Sequence, residues 1–509
     1  MSHWLRLELP DHLDKDLVAF FRCPAGQDFL RRIVLAALLH FHHNSPCGLR
    51  PIGSFLERLD LHYFVGTSYG ALYKWDQHLQ TELICFAQQE RQHLAVGMPT
   101  KDINLCLDEN FHGPQNCLVA IEPVSNFILI ETYRPQRDSV TWAAVLAEGI
   151  EGLPVHIVAL TSDQAKGLIC CALKELQVEH APDIMHLQQN LGKAILLPLA
   201  RPIQQANKDL EKAKRKAERL ETAERDKPGS VSLNAMIEVA RAEREAQEDW
   251  EQGQEQLASA VDGIREVSFV YHPFDRETGQ PVTVDQMESR LSAAVDQVRK
   301  VVEEAGLGER AHQAVGRARG WAVLLVGCLA WFRLRTDARV EQLGLSEEGQ
   351  RLVHECLLPS YYWEMASARE KIPEERKRAL ALAARLREEA WRKGGALAAL
   401  AEGERKAVER VARQCAELFC RSSSCVEGRN GRLSLFHHGQ TRLSEERLKV
   451  LTAVHNFVVR RADGTTAAER FFGRKQRDAF SWLLARLPEL PRPAAKRRPC
   501  PKPQPTTAP

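Results

Sequence analysis

Residues 103–133, INLCLDENFHGPQNCLVAIEPVSNFILIETY, contain three consecutive strand-like runs: INLCLDENF (103–111), NCLVAIEPVS (116–125) and NFILIETY (126–133). Gly113-Pro114 and Ser125-Asn126 punctuate them as turns, so the stretch predicts a three-strand antiparallel meander. Toward the C-terminus lie an amphipathic helix, DSVTWAAVLAEGIEG (138–152), a strand, VHIVALTS (155–162), a helix, QAKGLICCALKEL (164–176), and a short strand near Asp183 to Leu187. The order β-β-β-α-β-α-β describes a mixed sheet with helices on its faces.

Among small α/β topologies this order is the one the ribonuclease H-like fold uses. Period-two alternation sets Ile103, Leu105 and Leu107 on one face of the first strand and Asn104, Cys106 and Asp108 on the other. A carboxylate near the end of an apolar strand is costly unless a metal, a hydrogen bond or water compensates it. Asp163 repeats the situation after VHIVAL and Thr161-Ser162. The first and fourth strands pair directly in this topology, so the two aspartates become neighbours able to share a divalent cation. Each alone also reads as an exposed strand-end residue, and Asp163 before QAKGL as a helix N-cap. A third ligand is expected from a helix packed on the same sheet. Glu427 in CVEGRNGR is the leading candidate, with Arg429, Asn430 and Arg432 beside it as side chains suited to phosphates; a surface Glu-Arg pair is the plainer reading. Carboxylate oxygens suit Mg²⁺ or Mn²⁺, and two such ions about 4 Å apart serve nucleases and polynucleotidyl transferases.

His112, four residues beyond Asp108, reads as a ligand or, in preference, as a hydrogen-bonding histidine at a strand end. Glu122 and Glu131 on the neighbouring strands are the runner-up carboxylates, and Glu122 orients Asp108 if the register sets the two opposite. In segment 452–473, His455-Asn456 and Asp463-Gly464-Thr465-Thr466 read as a helix end, a turn and a cap. A structural brace is the preferred reading there, over DNA contact by Arg460, Arg461 and Arg470.

From Phe29 to about Leu94 the pattern is helical, with Phe29, Ile33, Ala36-Ala37 and His40-Phe41 on one apolar face. A second helix starts near Arg50-Pro51, and a third follows a break from Asp60 to Gly66, with Thr67 or Ser68 as its cap. That is the outline of a helix-turn-helix. Arg50, Arg58, Tyr69, Tyr73, Lys74 and Gln77 are its candidate DNA contacts, the plain alternative being a packing domain. From Leu191 to Arg421 helical periodicity dominates, broken only from Val267 to Val284. Residues 207–226 alternate charges at i,i+4 and predict a solvated helix or short antiparallel coiled coil. The run GWAVLLVGCLAWF (320–332) falls short of the ~20 residues of a spanning helix and is flanked by Arg319 and Arg333, so it predicts a buried helix. The tail from Leu487 is rich in proline and basic residues and predicts disorder, with nonspecific phosphate contact as its one use.

At 509 residues the chain suggests three or so folding units, and 44% hydrophobic with 27% charged residues is a globular composition. Lys+Arg 69 against Asp+Glu 67 leaves a formal +2, which excludes a global basic field; a nucleic-acid partner has to be met by local patches. The thirteen cysteines lack the two-residue gap of a zinc knuckle and predict reduced thiols of a cytosol. MSHWLRLELPDHLDKD at the N-terminus carries acidic residues where a signal peptide needs an apolar run, so export is not expected.

The motifs LDENFH, LVAIEPVSNFILIE, TSDQAKGL, APDIMH, SSCVEGRN and LTAVHNFVVRRADGTTAAERFFG resemble those of a family of bacterial insertion-sequence transposases of the Asp-Asp-Glu type. The resemblance runs from about Phe29 to Leu487. It implies that Asp108, Asp163 and Glu427 are the acidic triad. It also implies that Asp183 and His186 of PDIMH are an Asp-x-x-His signature that orients metal ligands or a DNA strand. Asn110 stands where the family has Thr, and Gln164-Ala165 where it has Glu-Gly; neither is a triad position. The implied fold class is a multidomain α+β chain: a helical DNA-binding domain over 1–100 and a ribonuclease H-like mixed α/β catalytic core over 101–200. An all-α insertion follows over 201–402, then core completion with the Glu helix and a brace over 403–486, and the tail over 487–509. The implied activity is cleavage and strand transfer with two Mg²⁺ or Mn²⁺ ions per site. Its implied partners are double-stranded DNA, as element terminal repeats and as target, in a homodimer or higher oligomer. No membrane partner is implied, and the setting is a bacterial cytoplasm, at the nucleoid when on DNA. A catalytically inactive DNA-binding regulator and a non-mobile nuclease on the same fold are the other readings.

Overall fold

The fold is that of a computed structural model, which describes residues 13–439 and 443–493. Five strands form one sheet: β1 (Lys101–His112), β2 (Gln115–Glu122), β3 (Phe127–Arg134), β4 (Val155–Ser162) and β5 (Glu179–Pro182), in the order β3-β2-β1-β4-β5. β1, β2 and β3 are an antiparallel meander, while β4 and β5 run parallel to β1. The short last strand ends at Pro182, before the expected Asp183 to Leu187. Asp183 instead accepts the Met185 N–H and caps the helix that follows, because the first backbone donors of a helix need an acceptor.

Four helices precede the sheet: α1 (Lys15–Arg22), α2 (Pro24–Ala37), α3 (Leu49–Arg58) and α4 (Tyr69–Ala95), the last capped by Ser68. α3 lies so close to the turn before α4 that a Cβ on Gly53 would sit 2.6 Å from the Thr67 carbonyl oxygen. Two helices connect the strands: α5 (Ser139–Ile150) and α6 (Lys166–Cys170), which continues as a wider turn to Leu176. Ala165, not Asp163, is the cap residue of α6.

The α-helical region is a unit with its own core. α7 (Ile184–Asp226) and α8 (Leu233–Val270) form an antiparallel hairpin, followed by α9 (Val284–Glu304), α10 (Glu309–Glu341), α11 (Glu347–Leu352), α12 (Leu358–Ser367), α13 (Pro373–Ala390) and α14 (Glu402–Glu417). Leu291, Val298, Leu325, Phe332, Tyr362 and Phe419 are among the side chains buried together. The boundary expected at 200/201 falls inside α7, which runs unbroken through Pro198 and Pro202. Residues 207–226 are the outer part of the hairpin. By length and composition α10 would span a membrane, yet Leu325, Leu329 and Phe332 lie in the helical core.

The chain then returns to the sheet with α15 (Ser424–Gly439), α16 (Glu445–Phe457), α17 (Ala467–Phe472) and α18 (Ala479–Arg486). On one face of the sheet Ile103, Leu105, Leu107 and Leu118 share a continuous core with Trp142 of α5, Leu79 and Phe86 of α4, and Phe457, Phe471 and Trp482 from the C-terminal helices. The N-terminal helices are therefore packed into the sheet layer, with no break in packing at residue 100. On the other face Cys106, Cys117, Val119 and Ile128 meet Val426, Leu433 and Phe436 of α15 and Leu448 and Leu451 of α16. Disorder was expected from Leu487, but the chain is packed as far as described: Leu487 and Leu490 are buried, and the Pro488 carbonyl accepts from the Trp75 indole at 3.2 Å. The basic tail from residue 494 and the first twelve residues lie outside the described residues. The described cysteines are all free thiols.

Candidate active site

The pairing of β1 with β4 ends at Cys106 opposite Thr161. Asp108, still within β1, and Asp163, just past the end of β4, each stand two residues beyond that pair, where the parallel pairing of the two strands stops. Alternation puts Asp108 on the Cys106 face, against which α15 packs. Asp108 Oδ1 accepts the Glu109 N–H at 2.8 Å and its Oδ2 accepts the Asn430 amide at 2.7 Å. Asp163 Oδ1 accepts the Ala165 N–H at 3.0 Å, closing the turn into α6. Burial pushes the Asp108 carboxyl up to about 6. The Glu427 and Asp163 carboxylates add to that, against the Glu109 N–H and His186.

Glu427 lies in the first turn of α15, one third exposed, with its Oε1 3.4 Å from His186 Nε2. His186 comes from the first turn of α7, and its Nδ1 is 2.7 Å from Asp183 Oδ2. The Ser423 hydroxyl donates to the same oxygen at 2.5 Å, and Asp183 is fully buried. The hydrogen bond to Asp183 is the chief reason the imidazole rises to about 8, so His186 is a cation at neutral pH, set between Asp183 and Glu427. Asp108, Asp163, Asp183, His186 and Glu427 thus gather where β1, β4 and β5 meet the starts of two helices, α7 and α15.

Among the described residues no three His, Cys, Asp or Glu side chains converge at ligand distance. The reason is local: Asp108 Oδ2 is turned to Asn430, and Glu427 to His186. The donor chemistry nevertheless fits a hard divalent cation. Asp108, Asp163 and Glu427 are oxygen donors at one edge, close enough that Glu427 and Asp163 each add to the rise that burial gives the Asp108 carboxyl.

Residues 353–499 match a family of unknown function, DUF6399. No curated protein and no solved structure matches the chain. The DUF6399 segment supplies Glu427, Asn430 and the helices covering the sheet, whereas Asp108, Asp163, Asp183 and His186 lie before it.

Within the DUF6399 segment, three residues expected at DNA phosphates do other work. Arg429 is buried and bonds the carboxylate of Glu131 on β3 through Nε at 2.7 Å and Nη2 at 2.5 Å, so it anchors α15 to the sheet. Asn430 holds Asp108. Arg432 donates to the Asn44 carbonyl at 2.7 Å, tying α15 to the loop after α2. Spacing was the available signal for Asn430: at i+3 from Glu427 it shares that residue's helix face. Glu122 is displaced as well. The register sets Val119 opposite Asp108, and Glu122, at the far end of β2, instead accepts the Val124 and Ser125 N–H groups of the β2–β3 turn, each at 2.8 Å. Glu131, paired with Val119, is the carboxylate on the Asp108 row. His112 is hydrogen-bonded at both ring nitrogens, to the Tyr133 hydroxyl at 2.7 Å and Asn110 at 3.1 Å.

In the N-terminal helices Arg50, Arg58, Tyr69, Tyr73, Lys74 and Gln77 are all exposed. The Tyr69 and Tyr73 rings stack at 5.8 Å, with the Arg50 guanidinium 5.2 Å over Tyr69. Arg460 and Arg470 turn back on the chain, Arg460 Nη1 to the Gly464 carbonyl at 2.6 Å and Arg470 Nε to that of Ser125 at 3.0 Å.

Proposed function

We propose that the chain is a DNA transposase of the Asp-Asp-Glu type, built on a ribonuclease H-like catalytic core with a helical insertion. The observation that carries this reading is the juxtaposition of Asp108 and Asp163, each just past the point where the parallel pairing of β1 and β4 stops, with Glu427 in the first turn of the helix packed over them. Two further features support it. The strand order β3-β2-β1-β4-β5, with an antiparallel meander and two parallel additions, is the arrangement a ribonuclease H-like core requires. The helical region leaves at Ile184 and returns at Arg421, and the Ile184 N–H meets the Arg421 carbonyl at 3.3 Å, the closed entry and exit of an inserted unit.

In this reading Asp108, Asp163 and Glu427 would hold Mg²⁺ or Mn²⁺. When bound, two such ions activate a water or 3′-hydroxyl and stabilise the leaving oxygen of a phosphodiester. Asn430 fixes the Asp108 carboxylate, and Asp183 fixes the ring of His186. The cationic His186 then restrains Glu427 and offers positive charge to a phosphate entering between the strand ends. The exposed Arg50, Tyr69 and Tyr73 group suits contact with duplex DNA, the substrate being element ends and then target.

Cleavage of a labelled duplex carrying the element's terminal repeats, with Mg²⁺, tests the assignment. Asp108→Asn, Asp163→Asn and Glu427→Gln are each expected to abolish cleavage while leaving the fold and end binding close to wild type. Cleavage within tenfold of wild type by any one of them removes that residue from the triad. Ca²⁺ should support binding with little cleavage, because its looser coordination does not hold the reacting oxygens in line; equal rates in Ca²⁺ and Mg²⁺ would overturn the two-ion picture.

A further inference from the structure

A cleft of about 430 Å³ opens where α14 passes the start of β1 and the end of α17, lined by Lys101, Lys406, Arg410, Arg413 and Arg470 against two acids, Glu409 and Glu417. Asp108 lies seven residues further along β1, roughly 23 Å away at a strand's rise per residue, so this is a separate surface. Lys406, Arg410 and Arg413 follow one another at i, i+4 and i+7 and are exposed on one face of α14. They span about 10 Å along the helix axis. Lys406 pairs with Glu402 at 2.6 Å in an exposed contact that water and salt weaken; Arg410 has no ion-pair or hydrogen-bond partner among the described residues, and Arg413 lies 4.8 Å over the Tyr361 ring. On the opposite wall Lys101 is largely buried, with its ammonium on the Phe471 carbonyl at 2.8 Å and 4.1 Å over that residue's ring.

Those cations are arranged for an extended anion. An ammonium held by a carbonyl and a ring, without a carboxylate in contact, retains most of its charge uncompensated. Glu122 and Glu417 both act on Lys101; Glu417, the one of the two that lines the cleft, is pushed up to about 7 by burial and by Glu122, which weakens its claim on the cleft's positive charge. A row of three cations about 10 Å long matches the rise of about three nucleotides along one DNA strand. The low net charge of the chain means that attraction to DNA must come from such local patches.

We infer that the cleft between α14 and α17 binds the sugar-phosphate backbone of duplex DNA, independently of sequence, as a second DNA surface remote from the triad. In the transposase reading, on which this assignment rests, it would hold target or flanking DNA.

The test uses the full chain and a fluorescein-labelled 30-base-pair duplex of arbitrary sequence, with anisotropy read from 50 to 200 mM salt. The triple variant K406Q/R410Q/R413Q should bind at least tenfold more weakly at 100 mM salt, with a log–log salt slope reduced by about 2 to 3. A control triple, K212Q/R215Q/R219Q, removes the same charge from exposed positions of α7 and should stay within twofold of wild type. Unchanged affinity and slope for the first triple, or equal losses for both, would overturn the proposal. Stoichiometric uptake of inorganic phosphate in calorimetry, lost in the first triple while duplex binding is kept, would make the cleft a small-anion site and overturn the DNA assignment. Absence of Mg²⁺-dependent cleavage by wild type, with the slope change present, would remove the transposase reading and leave the DNA surface standing.

Discussion

The two carboxylate oxygens of Asp183 do different work: Oδ1 closes the first turn of α7 on the Met185 N–H, and Oδ2 receives both His186 and the Ser423 hydroxyl. A helix cap and a histidine partner are both met by this one residue because it is buried at the strand-to-helix junction with each oxygen facing a different donor. The two residues of the motif should therefore fail differently. Asp183→Ala removes a cap and strands two buried donors, at a cost of about 3–4 kcal/mol, and the loss should appear as a lower melting temperature. His186→Ala leaves the cap and the Ser423 bond intact. It should lower cleavage roughly 10- to 100-fold and, because it takes the counter-charge from the buried Asp183 carboxylate, lower the melting temperature as well, but by less than Asp183→Ala does. Melting curves and single-turnover cleavage on the same preparations decide this, and wild-type rates for His186→Ala would return the histidine to a structural role.

At the scale of elements, the catalytic geometry depends on how α15 lies across β1, β2 and β3. The Glu131–Arg429 pair, with both side chains almost wholly buried and Thr452 Oγ1 donating to Glu131 at 2.5 Å, fixes that placement. Two residues either side of one helical turn, Arg429 on the sheet and Glu427 at the strand ends, then leave α15 little freedom to slide. Arg429→Met abandons a buried carboxylate and should cost about 3–5 kcal/mol, whereas the double variant Glu131→Leu/Arg429→Met should recover most of that. Denaturant titrations of the two singles and the double give the coupling, and additive losses would mean the pair does not anchor the helix. The face of β1 that carries Asp108 was legible, because alternation is a local property of INLCLDENF and the faces emerge as expected in the two cores. The partner of Arg429 was not, since residues 298 apart in sequence meet only through the β2–β3 register and the packing of α15. The same non-locality hid Asn456 of α16, whose amide both accepts from and donates to Ile128 on the sheet-edge strand β3 at 2.9 Å, taking the place of a missing neighbour.

At the scale of the whole molecule, the N-terminal helices and the C-terminal helices close on each other over the sheet, and a buried polar cluster joins them. Arg447 of α16 donates to His43 Nδ1 and, at 2.7 Å, to the His42 carbonyl, while His43 Nε2 meets Asp76 of α4 at 2.7 Å. A guanidinium can only donate, so Nδ1 accepts and Nε2 carries the proton that goes to Asp76; the ring is neutral. Burial, offset in part by Asp76, holds the His43 imidazole down at about 4, and Asp76 is held down at about 2, with the His43 contact overcoming its desolvation. A histidine whose value is depressed on folding adds stability that is present above its ordinary value near 6.5 and is lost as pH falls through it toward about 4, because the unfolded chain takes up the proton first. Between pH 7.5 and 4.5 wild type should lose about 2.5 kcal/mol at this site alone. His43→Gln supplies a donor for Asp76 and an acceptor for Arg447 but has no proton to gain. Glu417 and Asp108, raised by burial, act with the opposite sign in both proteins and cancel from the difference. The stability of His43→Gln relative to wild type, read from urea unfolding at each pH, should therefore rise by about 2–3 kcal/mol on going from pH 7.5 to 4.5. A difference flat with pH would show that His43 does not stay neutral in the folded protein.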